Sequence, residues 1–109
     1  MAKMKEHDAG AVWFLQGWQA NPRRELLAGL HADEVLVGDL LADEKGGGGD
    51  NFGNTPWLYC NVVNFGGQHV MRGNVRRALF APFARAADEN STMVGVGFMP
   101  EGVEDGEIF

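Results

Sequence analysis

Four short apolar runs, AVWFLQ (11–16), EVLVGDLL (34–41), WLYCNVVNF (57–65) and TMVGVGF (92–98), set the limits on how this chain folds. None alternates cleanly between polar and apolar residues. Near-continuous apolar runs suit strands covered on both faces, as in parallel sheets. Between the first two lies NPRRELLAGL, where Asn21 can cap a helix, Pro22 fits its first turn, and Leu26, Leu27 and Leu30 form an apolar stripe. The connection GGQHVMRGNVRRALFAPFARAADEN carries Val70, Val75, Leu79 and Phe83 at helical spacing and predicts a helix interrupted near Pro82. ADEKGGGGDNFGNTP is glycine-rich and polar and reads as a flexible loop with a little helix. Strand, connection and strand in this order predict an α/β fold with a parallel sheet.

Composition narrows the function. The 109 residues suit one domain, and the formal charge of −6 leaves no basic stripe for nucleic acid. The pairs Arg23-Arg24 and Arg76-Arg77 read as solvated helix faces. No apolar run approaches the ~20 residues needed to span a bilayer, and MAKMKEHDAG has no signal-peptide core. Cys60, the single cysteine, lies in an apolar run and reads as a packed thiol. No cofactor or metal is expected, because His7, His31 and His69 lie far apart and no pair shows ligand spacing. Gly46–Gly49 is followed by no Lys-Ser or Lys-Thr, so it does not read as a phosphate loop.

Each run closes on polar or aromatic residues: Gln16 and Trp18, Asp39, Asn61 with Asn64 and Phe65, and Glu101. Sites in open α/β sheets and (β/α)₈ barrels are assembled from the carboxyl ends of strands. Glu101 stands out because Pro100 restricts it on one side and Gly102 frees it on the other. Trp18 and Phe65 each sit beside glycine, and such rings stack on the apolar faces of sugars, while Asn and Asp bind hydroxyls.

Taken in order, AVWFLQGW, VLVGDLLAD, PWLYCNVVNFGG and NSTMVGVGFMPEG resemble the catalytic barrel of α-N-acetylglucosaminidases, glycoside hydrolase family 89, over residues 9 to 109. NFGG and the final block carry most of the resemblance. It implies a partial (β/α)₈ TIM barrel of about four parallel strands with intervening helices, the C-terminal half of the barrel. It further implies a parent enzyme that removes terminal, non-reducing α-linked N-acetylglucosamine with retention, as from heparan sulfate. The family's Pro-Glu-Gly nucleophile corresponds to Glu101, and its pocket-lining positions to Trp18, Leu40 and Phe65. Asp39, Cys60 and Asn64 match motif positions with supporting roles. The implied partner is a glycan ending in N-acetylglucosamine. Family members are lysosomal in animals and commonly exported in bacteria.

A retaining glycosidase needs a second carboxyl group about 5–5.5 Å from the nucleophile as acid/base. In the family that residue belongs to a Phe-Asn-Glu motif, which does not occur here. Glu6 precedes the first strand, and Glu104 and Glu107 follow the nucleophile too closely to replace it. The expectation is therefore residues 1–109 as a fragment of the catalytic barrel domain with little or no activity alone. The alternative is a non-catalytic carbohydrate-binding or interaction half-barrel. Open barrel edges also predict self-association. Three positions depart from the family pattern: Asp43 replaces a usual Glu, Gln68 a common Asn, and the glycine tract a loop that usually holds an aromatic.

Overall fold

The computed structural model describes residues 1–63 and 75–100. After helix α1 (Ala2–His7) come strand β1 (Trp13–Gly17), helix α2 (Arg24–Ala28), strand β2 (Val35–Asp39) and two single-turn helices, α3 (Ala42–Lys45) and α4 (Asn51–Asn54). Strand β3 (Trp57–Val63), helix α5 (Val75–Ala86) and strand β4 (Met93–Pro100) complete the order. The four strands form one parallel sheet in the order β1-β2-β3-β4. A doubly wound sheet would reverse direction at a switch point and carry helices on both faces. Here the order never reverses, and the packed helices share one face, as along an arc of a (β/α) barrel.

That face holds the core. Val35 and Val37 of β2 and Trp57 and Tyr59 of β3 pack with Leu27 of α2, Ala42 of α3 and Phe52 of α4. Ala81 of α5 and Met93 of β4 press against the same cluster. The period of two along each strand sends the intervening residues to the other face. There the Phe14 ring lies over Gly38, and Leu58 and Cys60 lie against Gly95 and Gly97. An extra residue, Val94, shifts the register between Trp57↔Met93 and Leu58↔Gly95, which keeps Met93 on the core face and aligns both glycines with β3's larger side chains. The outer strands are open on one side among the described residues, and Trp13, Phe14, Val96 and Phe98 are exposed there.

Three local expectations change. Helix α2 starts after Arg23, not Asn21: Asn21 instead closes a tight turn, exchanging backbone bonds with Trp18 (Trp18 N to Asn21 O, 3.2 Å; Asn21 N to Trp18 O, 3.0 Å). Leu27 is buried and Leu30 packs on the core, but Leu26 points outward, because a five-residue helix presents only one turn to the sheet. Helix α5 runs through Pro82 without a break. Buried Pro82 and core-packed Ala81 hold that turn against the sheet, which offsets the one backbone bond a proline removes.

Candidate active site

Parallel pairing brings the strand ends to one rim. Gly17 pairs with Asp39, Asp39 with Tyr59, and Val63 with Pro100. Trp18 and Leu40, the residues immediately after β1 and β2, therefore leave the sheet side by side. The Leu40 N–H donates to the Gly17 carbonyl at 3.0 Å and ties the two ends together. Trp18 is half-buried and held in the Asn21 turn. The sequence-expected Asn64, Phe65 and Glu101 lie outside the described residues.

Asp39 does not stand open to solvent. One carboxylate oxygen accepts from the Leu41 N–H at 3.2 Å and the other from the Gly48 N–H at 2.7 Å. The glycine tract to which it is bonded is not a loose loop. Gly47 and Gly48 are buried at φ +74° and +72°, and the rings of Tyr59 and Trp57 rise beneath them. A Cβ on Gly47 would come within 2.9 Å of the Tyr59 ring. At Gly47 and Gly48 β3's aromatic rings occupy the space a side chain would need. Beside the tract lies a half-open cavity of about 260 Å³ lined by Gly17, Asn21, Arg24, Asp39, Lys45 and Gly48 among others.

Two arginines secure this loop from α5. Arg77 donates to the carbonyls of Asp43 (2.9 Å) and Glu44, at the end of α3. Arg85 donates to Gly47 O, at 3.1 Å from Nε and again from Nη2, and more distantly to Gly46 O. Cations suit the carbonyl-rich end of a helix. The solvated-face reading of Arg76-Arg77 holds for exposed Arg76 and fails for Arg77. Nothing in the sequence motifs points to Arg85. The signal was present in the spacing of Arg77, Ala81 and Arg85 at i, i+4 and i+8, one stripe that meets the core through Ala81. Arg24 of the other pair bonds Asp50 and lies 5.0 Å above the Phe52 ring.

Cys60 is fully buried, as a packed thiol should be. Burial, and behind it the charge of Asp39, pushes the thiol up from 9.0 to about 11. The unfolded thiol ionises first, so the group's contribution is complete below pH 9 and lost as pH rises toward 11. Across that window it lowers stability by about 1.4 kcal/mol per pH unit. Urea midpoints at pH 8 and pH 10 are expected to fall more steeply in the native chain than in Cys60→Ala; equal slopes would mean a solvated thiol. Burial and then the charge of Glu44 likewise raise the Asp43 carboxyl. Among the described residues no three His, Cys, Asp or Glu side chains group to hold a metal ion, and no helix is long and apolar enough to cross a membrane.

A one-directional arc of parallel strands with helices on one face and a braced rim at the carboxyl ends is the architecture of a (β/α)-barrel enzyme domain. The alpha-N-acetylglucosaminidase (NAGLU) TIM-barrel domain family matches residues 1–109. Human alpha-N-acetylglucosaminidase is 35% identical over 112 residues, covering 93% of this chain and 15% of the human protein. A family 89 glycoside hydrolase from Clostridium perfringens, solved in complex with PUGNAc, superposes with a TM-score of 0.76 at 33% identity, over 94% of this chain and 12% of that one. The chain belongs to the alpha-N-acetylglucosaminidase TIM-barrel family of glycoside hydrolases. It spans only about an eighth to a seventh of the length of these relatives.

Proposed function

We propose that residues 1–109 are part of the catalytic barrel of a retaining α-N-acetylglucosaminidase, with Glu101 as nucleophile and a pocket for terminal N-acetylglucosamine lined by Trp18, Leu40 and Phe65. Asp39, Cys60 and Asn64 support that pocket. The observation that carries the reading is the common rim: β4 closes at Pro100, the residue before Glu101, on the edge where Trp18 and Leu40 leave β1 and β2. Family membership supplies the substrate class.

In this reading the Glu101 carboxylate attacks the anomeric carbon, the glycosidic C–O bond breaks, and the leaving oxygen takes a proton from the acid/base. Water activated by the same group then cleaves the glycosyl ester. Phe-Asn-Glu is absent from these 109 residues, so the chain by itself supplies a nucleophile without its proton donor. Among the described residues the outer edges of β1 and β4 are open; in this reading further barrel strands add there, and association between copies would use the same edges.

The 109-residue chain is expected to leave an alkyl α-N-acetylglucosaminide intact. With a 2,4-dinitrophenyl α-N-acetylglucosaminide, whose leaving group needs no proton, mass spectrometry should find one glycosyl adduct on the Glu101 peptide and none in Glu101→Gln. An adduct on another carboxylate, or none on the native chain, would refute the assignment. Robust turnover of the alkyl glycoside would refute the missing acid.

A further inference from the structure

We infer that Asp39 is a positioning residue for the sugar pocket, acting through the glycine tract and the turn at Leu40 rather than by touching the sugar; the inference rests on the pocket reading above. Both Asp39 carboxylate oxygens are already engaged by backbone N–H groups of its own loop. The bond from Leu41 N–H spans two residues and makes an Asx turn with Leu40 at its centre. Leu40 is also fastened to β1 through its own N–H on Gly17 O, next to Trp18. One carboxylate thus fixes the backbone of one proposed pocket residue and borders the segment that carries another.

The second oxygen links this turn to the rest of the molecule. Its partner, the Gly48 N–H, belongs to a tract seated on the Trp57 and Tyr59 rings of β3. On the opposite side Arg85 of α5 holds the Gly46 and Gly47 carbonyls. The tract is held between a carboxylate that takes its amide and a guanidinium that takes its carbonyls. Hydrogen bonds to a charged group are among the stronger ones, so this brace transmits the rigidity of β3 and α5 to the rim. The charge matters because a single carboxylate accepts from two directions. Asn at position 39 keeps one accepting oxygen, enough for the Asx turn, and turns an NH₂ toward the Gly48 N–H.

Four chains decide it: native, Asp39→Asn, Asp39→Ala and Arg85→Gln. N-acetylglucosamine affinity is read by tryptophan fluorescence, and amide exchange is followed by NMR. Asp39→Asn should weaken binding by about threefold and Asp39→Ala by about tenfold, less than the full worth of one and two bonds to a charge because those bonds act on the pocket through the loop. Arg85→Gln, which leaves Asp39 intact, should also weaken binding by a few fold. Exchange should quicken at Gly48 while the Val37 and Tyr59 amides, deep in the sheet, keep their native protection. A role confined to global stability would move all of these amides together and overturn the inference.

Deoxy sugars separate positioning from contact. The Asp39→Asn loss should be the same for N-acetylglucosamine and for its 3-, 4- and 6-deoxy analogues. A loss that vanishes with one analogue would identify a direct hydroxyl contact and overturn the inference, as would unchanged affinity in both Asp39→Asn and Arg85→Gln. Absence of saturable binding by the native chain would instead strike down the pocket reading, and this inference with it. That failure appears before any variant is compared. Should Asp39→Asn fail to fold, Arg85→Gln carries the decision.

Discussion

Replacing Gly48 by alanine is expected to destabilise the chain by about 3 kcal/mol, lowering the melting temperature by about 15 °C in a domain of this size. Two costs add. At φ +72° an L-residue is strained, which accounts for about 1 kcal/mol. The new methyl would also overlap the Trp57 indole at Cζ2, Cε2 and Cη2. That ring is completely buried and cannot step aside, so the loop must lift away from β3. Lifting it breaks the Gly48 N–H bond to Asp39 and strains the Arg85 contacts.

Gly49→Ala separates these costs. Gly49 also has positive φ, +46°, but a Cβ there meets nothing within 4 Å. Its substitution should therefore cost only the backbone strain, about 1 kcal/mol. Urea unfolding of the two variants side by side reads the difference. Equal losses would mean that the indole does not lie beneath the tract, and the whole account of this loop would have to be abandoned.

Truncating Trp57 to alanine should cost about 4 kcal/mol, in the range measured for buried aromatic residues. Trp57 is fully buried and joins several parts of the fold. Its ring packs at 6.2 Å from Phe52 and 6.4 Å from Tyr59, and supports Gly47 and Gly48. Its Nε1 donates to Asn51 Oδ1 at 3.2 Å, the same oxygen that takes the Thr92 N–H at the entry to β4. Alanine leaves a cavity under the tract and removes one of that oxygen's two donors. Domains of this class have only about 5–15 kcal/mol in total, so the variant should show loss of near-ultraviolet circular dichroism and increased dye binding at 37 °C. Trp57→Phe keeps a ring over the same ground and should lose less than half as much. A Trp57→Ala chain as stable as the native one would place the core elsewhere.

Sequence was most informative where burial is periodic and local. The four strands fall on their apolar runs, with ends shifted by a few residues, although only the inner strands β2 and β3 are well covered among the described residues. The parallel order followed from the connections between them, and the shared rim from the residues at the run ends. Motif resemblance named the family, which periodicity by itself could not do. Trp18, Leu40 and Asp39 were picked out in this way, and the fold brings all three to adjoining strand ends.

Other features were invisible for a physical reason. GGGGD looks like a mobile linker in sequence because glycine has no side chain from which to read burial. Its conformation is imposed by the Trp57 and Tyr59 rings of another strand, about ten residues further along the chain. Asp39 looked like a possible ligand for hydroxyls, until folding brought the Gly48 amide to its free oxygen. Arg77 reads in sequence as an ordinary surface cation and Arg85 carries no mark at all, since the carbonyls they bind come from a loop more than thirty residues earlier. By itself the sequence determined the strands, their order and the family, all of which are recorded in local pattern and motif. Only the tertiary structure decided that the glycine tract is a fixed wall of the rim, because the groups that fix it meet only after the sheet has formed.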